Sequence, residues 1–232
     1  MNRRLTQLLA TLALICAVAP ASAADCNRGP APAVDWSGCV KMNRLMAGRD
    51  FHGAVLVGVN LTNSDLSGAD LSGANLSKAI LGRTLLSKAN LKKADLTKAT
   101  LERANLRDAD LTSAQLVKAE LHRADLTDAR LVGGNLEKAE FGRASLINAN
   151  FAGASLRSAY MARADLRYAQ LVDADLKDAE LYLADLRGTD LSQARGLVQA
   201  QLVDTCGDNT TRLPSGLTPP PSWPCSSPGS EN

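Results

Sequence analysis

The chain is poor in the residues from which reactive sites are usually built. Only two histidines occur in 232 residues, and aromatic residues make up 3%. No G-x-S-x-G, phosphate-binding glycine loop or H-E-x-x-H is present, so the common frames for acyl transfer, nucleotide binding and zinc peptidase chemistry are missing. Long apolar runs are equally scarce. The one candidate, Leu8 to Val18, is shorter than the roughly 18 residues of a membrane span. An excess of one charge sign is lacking too. Lys and Arg number 26 against 24 Asp and Glu, and Arg3 and Arg4 precede every acidic residue, so the chain beyond them is formally 24 minus 24, or zero. Binding to nucleic acid through overall charge is thereby excluded.

What is present starts with a leader. Arg3 and Arg4, the apolar stretch and the small-residue site Ala21-Ser22-Ala23 describe a signal peptide over residues 1–23, with cleavage expected after Ala23. The expected location is therefore periplasmic or secreted. A lipid anchor fits poorly, because Asp25 precedes Cys26 and Leu14-Ile15 precedes Cys16. Four cysteines remain beyond the leader: Cys26, Cys39, Cys206 and Cys225. An even number in an exported chain favours two disulfides. Of the three connectivities, Cys26 with Cys39 and Cys206 with Cys225 is preferred. The long segment between the pairs should hold the ends apart, and a disulfide needs Cα atoms within about 7 Å. A four-thiolate zinc site would want short C-x-x-C spacings, which are absent.

From Phe51 to Leu191 every fifth residue is Leu, Phe or Met, for 29 positions without a slip. Two residues before these centres, 23 of 28 positions from 54 to 189 are Ala, with Val59, Ser64, Thr84, Gly134 and Thr189 as the exceptions. Just before the centre Asp or Asn recurs, as at Asp65, Asp70, Asn75 and Asn90. A period of five matches neither common element: on a helix each step rotates the centre by about 140°, and on a strand it alternates faces. All centres can point inward only if the chain bends once per pentad and coils.

The motif Ala69-Asp70-Leu71-Ser72-Gly73, repeated as Ala89-Asn90-Leu91-Lys92-Lys93, resembles the pentapeptide-repeat family over about three fifths of the chain. The resemblance implies an all-β, right-handed quadrilateral β-helix with four pentads per coil, Leu inside and Ala packed beside it. Seven such coils at strand spacing would make a rod of about 35 Å. The repeat block is expected over 51–195. A solenoid needs covered ends, and the flanks read as an N-terminal cap over 24–50 and, over 196–232, a C-terminal cap with a short helix near Leu197 to Val203 and a Pro-rich tail. Gly196 to Leu202, with Cys206-Gly207-Asp208 and Leu213-Pro214, is similar to C-terminal extensions of exported bacterial members of the family.

If four pentads complete a coil, residues twenty apart stack, and the second position after the centre forms two basic columns. One reads Lys78, Lys98, Lys118, Lys138; its neighbour reads Arg83, Arg103, Arg123, Arg143, Arg163. Like charges about 5 Å apart repel by about 1 kcal/mol even in water, with Glu102, Glu120, Glu137 and Glu140 near enough in the pattern to offset part of it. The columns are candidate sites for an anionic surface; a merely solvated face is the plainer alternative. His52 and His122 fall on opposite sides and cannot share a metal. Tyr160, Tyr168 and Tyr182 lie off-centre, where they face outward as candidate contacts.

The expected function is thus a rigid structural or protein-interaction module, not an enzyme, with no metal and no cofactor. Its partner is expected to be a macromolecule, an envelope protein or anionic glycolipid, rather than a small-molecule substrate, and the chain a monomer or weak oligomer. The family resemblance also implies an alternative, mimicry of DNA toward a type II topoisomerase such as gyrase. That role needs an acidic surface and a cytoplasmic location, and both the basic columns and the leader speak against it.

Overall fold

The computed structural model describes residues 24–225. The expected leader over 1–23 and the last residues of the tail lie outside them. From residue 31 to 195 the backbone repeats one unit of five: a centre residue, two turn residues, a small inward residue and a bridging residue. The turn is closed by a hydrogen bond from the inward residue back to the centre, as from Ala74 N–H to the Leu71 carbonyl at 3.0 Å. Its third residue takes a positive φ while its second does not, for example Gly73 at 65°. Positive φ confined to that position defines a type II turn.

Parallel bridges join residues twenty apart, from Asp35 to Val55 through Asp175 to Arg195. Twenty residues therefore complete one coil, and each coil has four five-residue sides. The bridges are isolated single-residue pairs, and among the described residues no continuous strand forms. Two residues of each pentad are spent on the turn, which leaves too few to extend a bridge into a ladder. The all-β expectation needs that correction: the backbone pairs in β fashion without strands.

Coil-to-coil bonds repeat with the same register. Leu91 N–H donates to the Asp110 carbonyl at 2.7 Å, Lys93 N–H to Thr112 at 3.0 Å, and Asn90 N–H to the Ala69 carbonyl of the preceding coil at 2.9 Å. The centre leucines and the alanines two before them are buried throughout the interior, as with Leu116 and Ala114 at 0% exposure. Each buried Leu contributes about 1.5–3 kcal/mol of transfer free energy. Alanine is small enough to sit beside it without widening the coil. Where a hydroxyl replaces Ala inside, it finds a carbonyl: Thr84 Oγ1 donates to Leu61 O at 3.0 Å and Thr189 Oγ1 to Leu166 O at 2.7 Å.

The bridging pattern does not begin at residue 51. It starts at Asp35, so residues 31–50 already form a coil, with Trp36 and Met46 at centre positions and buried. Trp36 packs edge-on against Phe51 with ring centroids 5.3 Å apart, and Lys41 Nζ lies 4.0 Å above the Trp36 ring. At the other end the register lengthens. Asp185 bridges Cys206 and Asp190 bridges Arg212, one and two residues beyond the regular spacing. The extra residues accommodate a short 3-10 turn over Gln199–Leu202, which stands where a short helix was expected. Both disulfides are present, Cys26–Cys39 and Cys206–Cys225, each with Cα atoms 5.5 Å apart. Cys225 brings back the tail so that Trp223 Nε1 donates to the Thr205 carbonyl at 2.8 Å.

Replacing Cys206 and Cys225 together by alanine is expected to destabilise the chain by about 2–4 kcal/mol, the usual worth of closing a loop of this size. Thermal unfolding of the variant beside the oxidised parent measures it. An unchanged melting temperature would mean that the C-terminal segment contributes nothing to the cooperative unit.

Aspartates just before the centre cap the following turn. The Ser72 hydroxyl, followed by its N–H, holds the Asp70 carboxyl below the usual range, and Ser192 does the same for Asp190. At Asp208 burial alone would push the carboxyl up, but hydrogen bonds from Thr210, Gly188 and Thr211 outweigh it and lower it to about 2. Carboxyls lowered on folding stabilise above their unfolded value and lose that contribution as pH falls through the folded one. Stability is therefore expected to hold at neutral pH and to fall from about pH 4 toward pH 2. Melting temperatures that stay flat to pH 2 would overturn the capping assignment.

Candidate functional site: the basic columns and their groove

The two basic columns occupy the positive-φ position of the turn. Lys78, Lys98, Lys118 and Lys138 lie at φ of 58–59°, and Arg83, Arg103, Arg123, Arg143 and Arg163 at 55–61°. All nine are exposed. Each column stacks through backbone bonds one coil apart, so its members follow one another at about the 4.8 Å strand spacing. A side chain with a Cβ costs about 1–2 kcal/mol at such a φ. Glycine fills the same position without that cost at Gly53, Gly58, Gly68 and Gly73.

The columns are also left largely without counter-charges. Basic residues directly after a centre pair with carboxylates of the next coil: Arg107 with Asp125 at 3.2 Å, Arg157 with Asp175 at 3.1 Å, Lys92 with Asp110 at 3.2 Å. In the columns only Arg103 and Lys138 make ion pairs among the described residues, with Glu102 at 3.7 Å and Glu137 at 3.5 Å. Glu140 instead accepts a hydrogen bond from His122, Nε2 to Oε2 at 2.7 Å. The expected relief of repulsion by nearby glutamates is thus confined to two of nine positions.

Beside the arginine column runs a groove of about 660 Å³, lined by Arg123, Arg143, Arg163, His122, Tyr160 and Tyr182, with Gly142 and Ala162 between them. In the column of residues directly after the centre, Gly142 and Ala162 fall between His122 and Tyr182. Gly142 lets the His122 and Tyr160 rings pack close over it. A Cβ added at Gly142 would lie 2.7 Å from His122 Nδ1 and 2.9 Å from Tyr160 Cε1. The concavity lies on the outer surface, where sequence reasoning did not place one. Its signal was available as two small residues in succession twenty apart. Tyr160 and Tyr182 border the groove, whereas Tyr168 stands on another side against Gly188.

Among the described residues no cluster of His, Cys, Asp and Glu could hold a metal ion. His52 and His122 are separate: His52 Nδ1 meets Ser72 Oγ at 3.0 Å. No described helix is long and apolar enough to cross a membrane.

A family model described as pentapeptide repeats matches eight copies, over residues 50–83, 89–128, 104–143, 124–161 and 159–195. No curated protein matches. Among solved structures, HetL, a pentapeptide repeat protein involved in heterocyst differentiation regulation in Nostoc sp. strain PCC 7120, is 29% identical. It covers 81% of this chain and 86% of its own, with a TM-score of 0.42. Trypsin-treated QnrB1, a plasmid-mediated fluoroquinolone resistance protein, is 20% identical over 73% of this chain and 91% of its own, with a TM-score of 0.50. A pentapeptide repeat protein of the Arabidopsis thaliana thylakoid lumen is 30% identical over 50% and 70%, with a TM-score of 0.27. The family match implies a right-handed β-helix, and the QnrB1 likeness bears on the fold alone.

Proposed function

The chain belongs to the pentapeptide-repeat family, and from that membership and the largely unpaired basic columns we propose that it is an exported, non-enzymatic rod that docks an anionic envelope surface. The observation that carries this reading is the filling of the positive-φ turn position by Lys or Arg through four and five successive coils. Each of these residues is placed at a conformational cost that glycine avoids, and seven of the nine have no ion-pair partner among the described residues. Asp108, Ser113 and Asn148 take the same φ on other sides, and Leu183 takes it next in line after Arg163, so what sets the columns apart is the unbroken run of basic side chains at that position. The two columns lie on adjacent sides of a rigid stack, so the charges are pre-arranged and little ordering entropy is lost on docking.

Export is supported by the leader at residues 1–23 and by the two disulfides at the ends of the rod. DNA mimicry asks for the opposite charge on the exposed sides.

Binding to heparin, polyphosphate and anionic vesicles tests the proposal. Neutralising Arg83, Arg103, Arg123 and Arg143 together as glutamines is expected to weaken all three by about a hundredfold at low salt, from about 0.7 kcal/mol per exposed charge. Binding unchanged in that variant sinks the docking strip. Added salt should weaken the parent's binding as the charges are screened.

A further inference from the structure

On three sides of the coil the turn carries an internal cap. The side-chain oxygen of the Asp or Asn before the centre accepts the N–H two residues on: Ser72 to Asp70 at 2.9 Å, Thr97 to Asp95 at 2.9 Å, Thr127 to Asp125 at 3.0 Å. Single coils on those sides lack the cap, but never two in succession. On the side of the arginine column the acceptor ends with Asn60, which caps Thr62 at 3.1 Å. Beyond it the capping position reads Ile80, Thr100, Glu120, Glu140, Tyr160 and Glu180. Glutamate is one methylene too long for the turn that Asp and Asn close. Among the described residues, the N–H groups of Glu102, His122, Gly142, Ala162 and Tyr182 consequently donate to nothing. These are the residues that line the groove, and Gly142 and Ala162 are buried at its floor. Buried amides without a partner are rare in native structures.

We infer that the groove is a binding site for a phosphate-bearing sugar, whose anionic oxygens take on the Gly142 and Ala162 N–H groups the place that Asp Oδ1 takes on the other sides. The inference rests on the docking reading for its arginines and goes beyond it in the backbone donors. Arg123, Arg143 and Arg163 supply the charge, and hydrogen bonds to a charged oxygen are stronger than neutral ones. Tyr160 and Tyr182 offer aromatic surface to the apolar face of a sugar ring. Glu102 in the groove wall and Glu140 beside it are acceptors that repel a bare anion but accept hydroxyl protons. This mixture of donors, ring faces and carboxylates favours a hydroxyl-rich anion over a nucleic-acid backbone or free phosphate.

The decisive variant is Glu140→Asn. It installs at Gly142 the cap that Asn60 and Asn75 provide elsewhere, and it removes a negative charge from the rim. Charge alone then predicts tighter binding of an anion. Competition of the Gly142 N–H predicts weaker binding, by about tenfold, the worth of one hydrogen bond to a charged oxygen. The full chain is titrated with glucose 6-phosphate, inorganic phosphate, glucose and adenosine monophosphate, following amide shifts by NMR. Support is glucose 6-phosphate bound best, with shifts at Gly142 and Ala162, and weakened in both Glu140→Asn and Tyr182→Ala. Equal binding of inorganic phosphate or glucose, tighter binding of the nucleotide, or unweakened binding in Glu140→Asn overturns the site. Heparin binding read in parallel separates the two ideas, because Glu140→Asn leaves both columns intact. Loss of the sugar phosphate with heparin retained belongs to the groove, and heparin binding that survives the glutamine quartet removes only the strip.

Discussion

Replacing Arg83, Arg103, Arg123 and Arg143 together by glycine is expected to weaken docking to polyanions about a hundredfold while raising the melting temperature. The two effects have separate causes. Loss of binding follows from removing four exposed charges, as in the glutamine variant. The gain in stability comes from the backbone: the four residues sit at φ of 55–59°, where a Cβ costs about 1–2 kcal/mol. Glycine there returns about 0.5–1 kcal/mol to the unfolded chain as entropy, so the net gain is a few tenths to about 1 kcal/mol per site. Relief of repulsion between stacked guanidinium groups adds to it. Over four sites the sum is on the order of 1–4 kcal/mol, a rise of several degrees for a domain of this size.

Glutamine and glycine quartets together isolate the causes. Both lose binding, but glutamine keeps the Cβ and the positive φ, so only the glycine quartet should gain the backbone part. Stability lower in the glycine quartet than in the glutamine quartet would mean that the turn is not strained by its side chains. Equal stability with binding lost in both would leave docking intact and remove the conformational cost assigned to the columns. A gain of stability coupled to a loss of function is the expected trade at a position kept for its chemistry.

The period of five carried most of the architecture. Leu at every centre and Ala two before it are enough to require an inward-facing coil, and the twenty-residue register follows from four sides. The first coil was not legible, because Lys41 stands at a centre position and Arg44 and Arg49 at inward ones. These residues lie at the end of the stack, where Arg44 and Arg49 stay exposed and the Lys41 cation rests over the Trp36 ring. The C-terminal shift of register was equally hidden, since the extra residues of the 3-10 turn leave no periodic mark. The basic columns could be read by counting in twenties. Their lack of counter-charges could not, because pairing depends on whether a long side chain sits after the centre, as in Arg107, or at the corner, as in Arg123. The uncapped amides were in principle readable from Ile80, Thr100, Glu120, Glu140, Tyr160 and Glu180. Doing so requires knowing first that the residue before the centre caps the turn.

Truncating Leu116 to alanine is expected to be the most damaging small change in the chain. Leu116 is wholly buried, with Leu96 and Leu136 one coil below and above and Ala114 beside it. The coils above and below are fixed by backbone bonds, as from Leu116 N–H to Asn135 O at 2.7 Å, so the walls cannot move in to fill the space. A cavity that cannot collapse puts the cost toward the upper part of the usual range of about 2–5 kcal/mol. Each repeat is stabilised chiefly by its neighbours, so a defect in mid-stack weakens two interfaces at once, whereas one at Leu191 weakens mainly the terminal one. Ala114→Leu attacks the same place from the opposite side, and overpacking there is expected to cost about 1–3 kcal/mol. Chemical denaturation of Leu116→Ala, Leu191→Ala and Ala114→Leu beside the parent measures all three. A loss below about 1 kcal/mol at Leu116, inside the range of surface substitutions, would mean that the leucines do not share a packed interior.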